Sequence, residues 1–179
     1  MIDIIIPEAE YFDERTMQFT YSKEQKLTLE HSLIAISKWE SKFEKPFLSS
    51  EKTTEEVLDY IKCMTITQNV SPETYLRLSA KNLEDIQKYI EAPMTATTFK
   101  KIEKRGGKKE IITAELIYYW MIAFNIPFEC QKWHLNKLLT LIEVCARKNE
   151  PPKKMSRREI SAQHRAINQI NRERFHTKG

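Results

Sequence analysis

Two periodicities divide this chain. At its start apolar residues recur at every second position; from Ser32 onward they recur at every third or fourth. Ile2-Asp3-Ile4-Ile5-Ile6 ends at Pro7, Met17, Phe19 and Tyr21 alternate with Thr16, Gln18 and Thr20, and Leu27 and Leu29 alternate with Lys26, Thr28 and Glu30. Period two sets one side of a strand on a core and the other in water. It predicts a two- or three-stranded antiparallel meander over residues 1–31. The Ile2–Ile6 run fits either such a strand or one buried on both faces.

The helical part opens with Leu33, Ile36, Trp39 and Phe43 behind a Ser32 cap, with Pro46 as the stop. Thr53 with Glu56 makes a capping box ahead of Val57, Tyr60, Ile61 and Met64. Ser71-Pro72 starts a short turn carrying Tyr75 and Leu76. Asn82 is the expected cap of a stripe of Leu83, Ile86 and Ile90, which Pro93 ends. Thr113 caps a helix through Phe124 that is apolar all round, the mark of a central buried helix. After Pro127 a second helix carries Leu135, Leu138, Leu139, Ile142, Cys145 and Ala146 on one face. These two neighbours predict an αα-hairpin at the centre of the core. The expected fold is mainly α (α+β): a helical body with that hairpin, a small N-terminal sheet and a basic C-terminal helix. Residues 1–150 form the expected globular domain and 151–179 the tail.

Composition removes several enzyme classes. The glycines stand at 106, 107 and 179, so no Gly-rich phosphate loop or dinucleotide turn can be built. Three cysteines, an odd number, and a start without an apolar h-region point to a reduced, intracellular setting. Leu116–Phe124, the longest apolar run, is far short of the ~20 residues of a membrane span. Cys130 and His134 stand four apart, but no second ligand pair accompanies them and Cys145 lies too far along the helix. A core cysteine and a hydrogen-bonded histidine are expected there, with no metal and no cofactor. Nucleophilic catalysis lacks a third orienting group, and no pair of acids is brought together. The expectation is a protein that is not an enzyme.

Charge changes the picture at two places. Lys104, Arg105, Lys108 and Lys109 surround Gly106-Gly107, which reads as a solvated Gly-Gly turn or as a basic loop gripping a partner. Residues 151–179 hold eight Lys/Arg against Glu159 and Glu173, whereas the rest of the chain is slightly acidic. Behind Pro151-Pro152, Ser156 and Glu159 form a second capping box. Down the helix that follows, Ile160, Ile167 and Ile170 form a thin apolar line. Arg158, Arg165 and Arg172 recur every seven residues on the far side, with Arg157 beside the cap. Such a helix fits a solvated appendage, a protein-docking element or a nucleic-acid contact. Phe175 alone is too little aromatic anchor for a membrane surface.

The stretches Leu29–Leu48 (LEHSLIAISKWESKFEKPFL), Glu115–Val144 (ELIYYWMIAFNIPFECQKWHLNKLLTLIEV) and Pro151–Ile160 (PPKKMSRREI) resemble tail assembly chaperones of long-tailed bacteriophages. The resemblance implies a non-enzymatic protein of the host cell cytoplasm. Its expected partner is the tape measure protein, which it keeps soluble until the tail tube polymerises; tail tube subunits and a second copy of this chain are further implied partners. The competing readings are a nucleic-acid-binding protein acting through the tail and the 100–110 loop, and a structural virion component. Sparse aromatics near the basic segments (Phe99, Phe175) count against single-strand stacking.

Overall fold

The computed structural model describes residues 1–13, 17–99, 110–150 and 156–176. Strand β1 (Ile2–Ile6) pairs antiparallel with β4 (Gln25–Leu29), and β2 (Ala9–Asp13) with β3 (Gln18–Ser22). Two residues on each side separate the ladders, Pro7-Glu8 facing Lys23-Glu24. The register runs straight through the gap, with Ile6 opposite Gln25 and Ala9 opposite Ser22. These strands are therefore one interrupted ribbon and not the expected meander. Pro7 accounts for the interruption, because it has no N–H to give a ladder. Ile4, Ile6, Leu27 and Leu29 are buried while Ile5 is 58% exposed, so β1 packs on one face only.

Helices follow as the periodicity requires: α1 (Leu33–Phe43), α2 (Thr54–Met64), α3 (Pro72–Leu76), α4 (Ala80–Glu91), α5 (Ala114–Ala123), α6 (Leu135–Asn149) and α7 (Arg157–Phe175), with a 3-10 turn at Phe128–Lys132. The chain is mainly α with a smaller β part. Ser32, Thr53 and Thr113 cap α1, α2 and α5 by accepting from the backbone N–H three residues on. The cap of α4 is Ser79 and not Asn82. Ser79 Oγ accepts from Asn82 N–H, and the Asn82 side chain donates to the Ile5 carbonyl instead. Glu44, in the left-handed region at φ 53°, ends α1 ahead of Pro46.

Met1–Ala146 and Arg147–Gly179 are two compact units. In the first, Trp39 is fully buried, stacks against Phe43 and Phe47, and donates from Nε1 to the Glu56 carbonyl (2.9 Å). Around it pack Leu33 and Ile36 of α1, Tyr60, Ile61 and Met64 of α2, Ile117 and Met121 of α5, and Leu135 and Leu138 of α6. The backbone of α5 approaches α1 more closely than α6. Leu139, expected on the core face of α6, lies at its margin, and Ile142 is buried. Two ion-paired carboxylates fasten surface turns: Asp59 meets Lys42 and Lys62, and Lys45 meets Glu56 at 2.6 Å.

Candidate partner-binding surfaces

The tail helix α7 is built by local chemistry alone. Ser156 Oγ accepts from Glu159 N–H (3.2 Å), and the Glu159 carboxylate accepts from Ser156 N–H (2.7 Å), so two otherwise unpaired amides are satisfied reciprocally. At the other end His176, at φ 50°, sends its N–H to the Arg172 carbonyl. No residue of α7 is buried. Ile160, Ile167 and Ile170 are exposed along one side, and Phe175 is exposed near the end. At about 100° per residue, Arg158, Arg165 and Arg172 fall on roughly the opposite side. Arg172 and Arg174 suit the negative end of the helix dipole, whereas Arg157 and Arg158 stand against the positive end and gain nothing from it. Lys104, Arg105, Lys108 and Lys109 of the basic loop lie outside the described residues.

Cys130 and His134 do not share a helix. Cys130 is buried in the 3-10 turn, and His134 precedes α6. His134 donates from Nε2 to the Tyr89 carbonyl (3.0 Å), and its Nδ1 accepts from Asn136 N–H (3.3 Å). Both ring nitrogens are thus engaged by backbone, in the neutral form. Its ring stands 5.1 Å from that of His31, whose Nδ1 pairs with the Tyr60 hydroxyl. Burial, and then the neighbouring His134, push the His31 pKa down to about 4; burial also lowers that of His134. Tyr89 donates its hydroxyl to Glu30 (2.6 Å), and its pKa is pushed up to about 13 by burial and by that carboxylate. Among the described residues, no three His, Cys, Asp or Glu side chains are grouped to hold a metal ion.

Two apolar faces lie open where a buried helix and a plain hairpin were expected. On α5 only Ala114, Ile117 and Met121 are buried; Tyr119 is 63% exposed and Ile122 61%. Phe128 of the 3-10 turn is exposed beside Tyr118, ring centroids 6.4 Å apart. The sequence held a signal for this. Glu115, Tyr119 and Ile122 fall at i, i+4 and i+7, so the one charged residue of α5 marks its wet stripe. On the ribbon, Phe12 and Phe19 are paired in register with rings 5.1 Å apart, and both are exposed, as are Met17 and Tyr21.

Among the described residues no helix is long and apolar enough to cross a membrane. Comparison with known protein families, with characterised proteins and with solved structures finds no match to this chain.

Proposed function

We propose that this protein is a non-enzymatic assembly chaperone of a long-tailed bacteriophage, which binds the tape measure protein through α7 and keeps it soluble in the host cytoplasm until the tail tube forms. The observation that carries the reading is the character of α7: a doubly capped helix of 19 residues with no buried residue, an open isoleucine line and an arginine stripe opposite. Three isoleucines over five turns bury too little to stabilise a helix alone, so contact with a partner adds what is missing. An amphipathic helix that docks and is released without covalent chemistry is what holding a long helical client requires. The resemblance of Leu29–Leu48, Glu115–Val144 and Pro151–Ile160 to such chaperones names the client.

The arginines of α7 keep nucleic acid as the second reading, and one pair of measurements separates the two. Tape measure fragments are co-expressed with the full chain and with a chain lacking 151–179. The chaperone reading expects soluble fragments, captured by the full chain and lost with the deletion. Labelled DNA and RNA are titrated at two salt concentrations. Binding that is tight at low salt and falls with a logarithmic slope of about 0.7–0.9 per phosphate contact, without fragment capture, would replace the chaperone reading by the nucleic-acid one.

A further inference from the structure

The chain itself covers part of the ribbon's outer edge. Glu30 N–H donates to the Met64 carbonyl (2.9 Å), Ile66 N–H to the Thr28 carbonyl (2.8 Å), and Thr28 N–H to Thr67 Oγ1 (2.8 Å). Residues 64–67 therefore lie beside β4 in the manner of a short third strand. Asn69, at φ 57°, then turns the chain away towards α3. Beyond that point the same edge continues from Gln25 back to Ser22 without a neighbour, since each strand pairs on one side only.

A cleft of about 600 Å³ opens there, between Ser22–Gln25 and Ser71–Arg77. This is within the range of ligand-binding cavities. Four consecutive strand residues line it. Successive side chains point to opposite faces, so an unbroken run of four is offered by a strand's edge, with its main-chain N–H and C=O groups. Counting in twos from Thr28, whose groups point outward, the outward positions are Glu24 and Ser22. The opposite wall supplies Leu76, 77% exposed, and Arg77. Arg77 donates from Nη2 to the Pro7 carbonyl, while its Nε is buried with no hydrogen-bond partner among the described residues. A buried guanidinium donor without an acceptor is destabilising, and a carboxylate is its best complement.

We propose that this cleft takes an extended peptide segment of a partner protein, which adds as a strand along Ser22–Gln25 and sets an Asp or Glu side chain on Arg77 Nε. The run of 64–67 along β4 is the same mode of pairing, one register further on. Main-chain bonds supply affinity, and the carboxylate on Arg77 with an apolar residue on Leu76 supplies selectivity. This site shares no residue with α7 and stands whether or not α7 binds a tape measure chain.

The test uses the isotope-labelled full chain and a panel of short, end-blocked peptides of alternating Val and Thr. A single Glu is moved along the panel, and each member has a Gln counterpart. Glu peptides are expected to shift the amides of Ser22–Gln25 and Thr74–Arg77 and to slow hydrogen exchange at Glu24. They should bind at least about tenfold more tightly than the Gln counterparts. Arg77→Lys keeps a donor for the Pro7 carbonyl but removes Nε, and should erase the difference between Glu and Gln. Glu24→Pro removes an outward N–H and should abolish binding of both. Equal binding of Glu and Gln peptides by the unaltered chain, or no shift at these amides with millimolar peptide, would overturn the proposal. So would shifts of the same amides on raising protein concentration alone, which would place a second copy on the edge.

Discussion

Glu40 joins three segments of the body through one carboxylate. It is buried, and it accepts from Phe47 N–H and from Ala114 N–H, both at 2.7 Å. The second bond also sets a carboxylate at the N-terminus of α5, where the helix dipole favours it. Glu40→Ala leaves two buried amides without acceptors at about 1–3 kcal/mol each, so urea unfolding should show a loss of about 2–5 kcal/mol. Glu40→Gln keeps one acceptor oxygen and should lose about half as much; an unchanged midpoint for Glu40→Ala would refute the joint. His31 sets the pH response. Its folded pKa, about 4, lies below the ordinary 6.5, so the unfolded chain takes up the proton first. The stability it contributes is complete above pH 6.5 and drains away as pH falls towards 4. Between pH 7.5 and 5 the loss from His31 alone should be about 2 kcal/mol, and His134, shifted the same way, adds to it. A flat denaturation midpoint over that window would contradict the neutral, buried pair. Neither residue announced itself in the sequence. Glu40 reads as a polar position beside the Trp39 stripe, and its second partner is 74 residues away.

Elements whose stability is local were legible, and elements whose stability is borrowed were not. The caps at Ser32, Thr53, Thr113 and Ser156 need only the residue three positions on, so spacing found them. β2 carries no alternation that marks it; its partner β3 makes it a strand, and pairing across a turn leaves no local trace. α5 shows the same limit. Its composition suggested burial all round, but which side meets α1 depends on residues far away in sequence. Two substitutions measure that sidedness. Ile117→Ala, on the fully buried side, should cost about 2–4 kcal/mol. Ile122→Ser, on the open side, should change stability by no more than about 0.5 kcal/mol. Equal losses in thermal or urea melts would mean that α5 has no exposed face.

At the scale of the whole chain, the core draws on residues from Ile4 to Ile142, and α7 adds none. Removing 151–179 should therefore shift the melting temperature by no more than about 1–2 °C, while abolishing any partner binding that runs through α7. A drop of many degrees would show that the tail helps hold the body. The tail was legible because a capping box and a seven-residue arginine repeat are both local. The cleft at Arg77 was not, since its walls lie some fifty residues apart in sequence. The ribbon also sets an order of events during synthesis. A hairpin closes in about 1–10 μs, so β1 to β4 can find their register as soon as Leu29 leaves the ribosome. Met64, whose carbonyl first borders β4 from outside, follows 35 residues later, which at about 5–20 residues per second is a delay of about 2–7 s. For those seconds Ile4, Ile6, Leu27 and Leu29 form a paired but uncovered surface. The nascent chain spends that interval with its first core layer laid out and waiting, and a ribosome that pauses near Thr65 prolongs it.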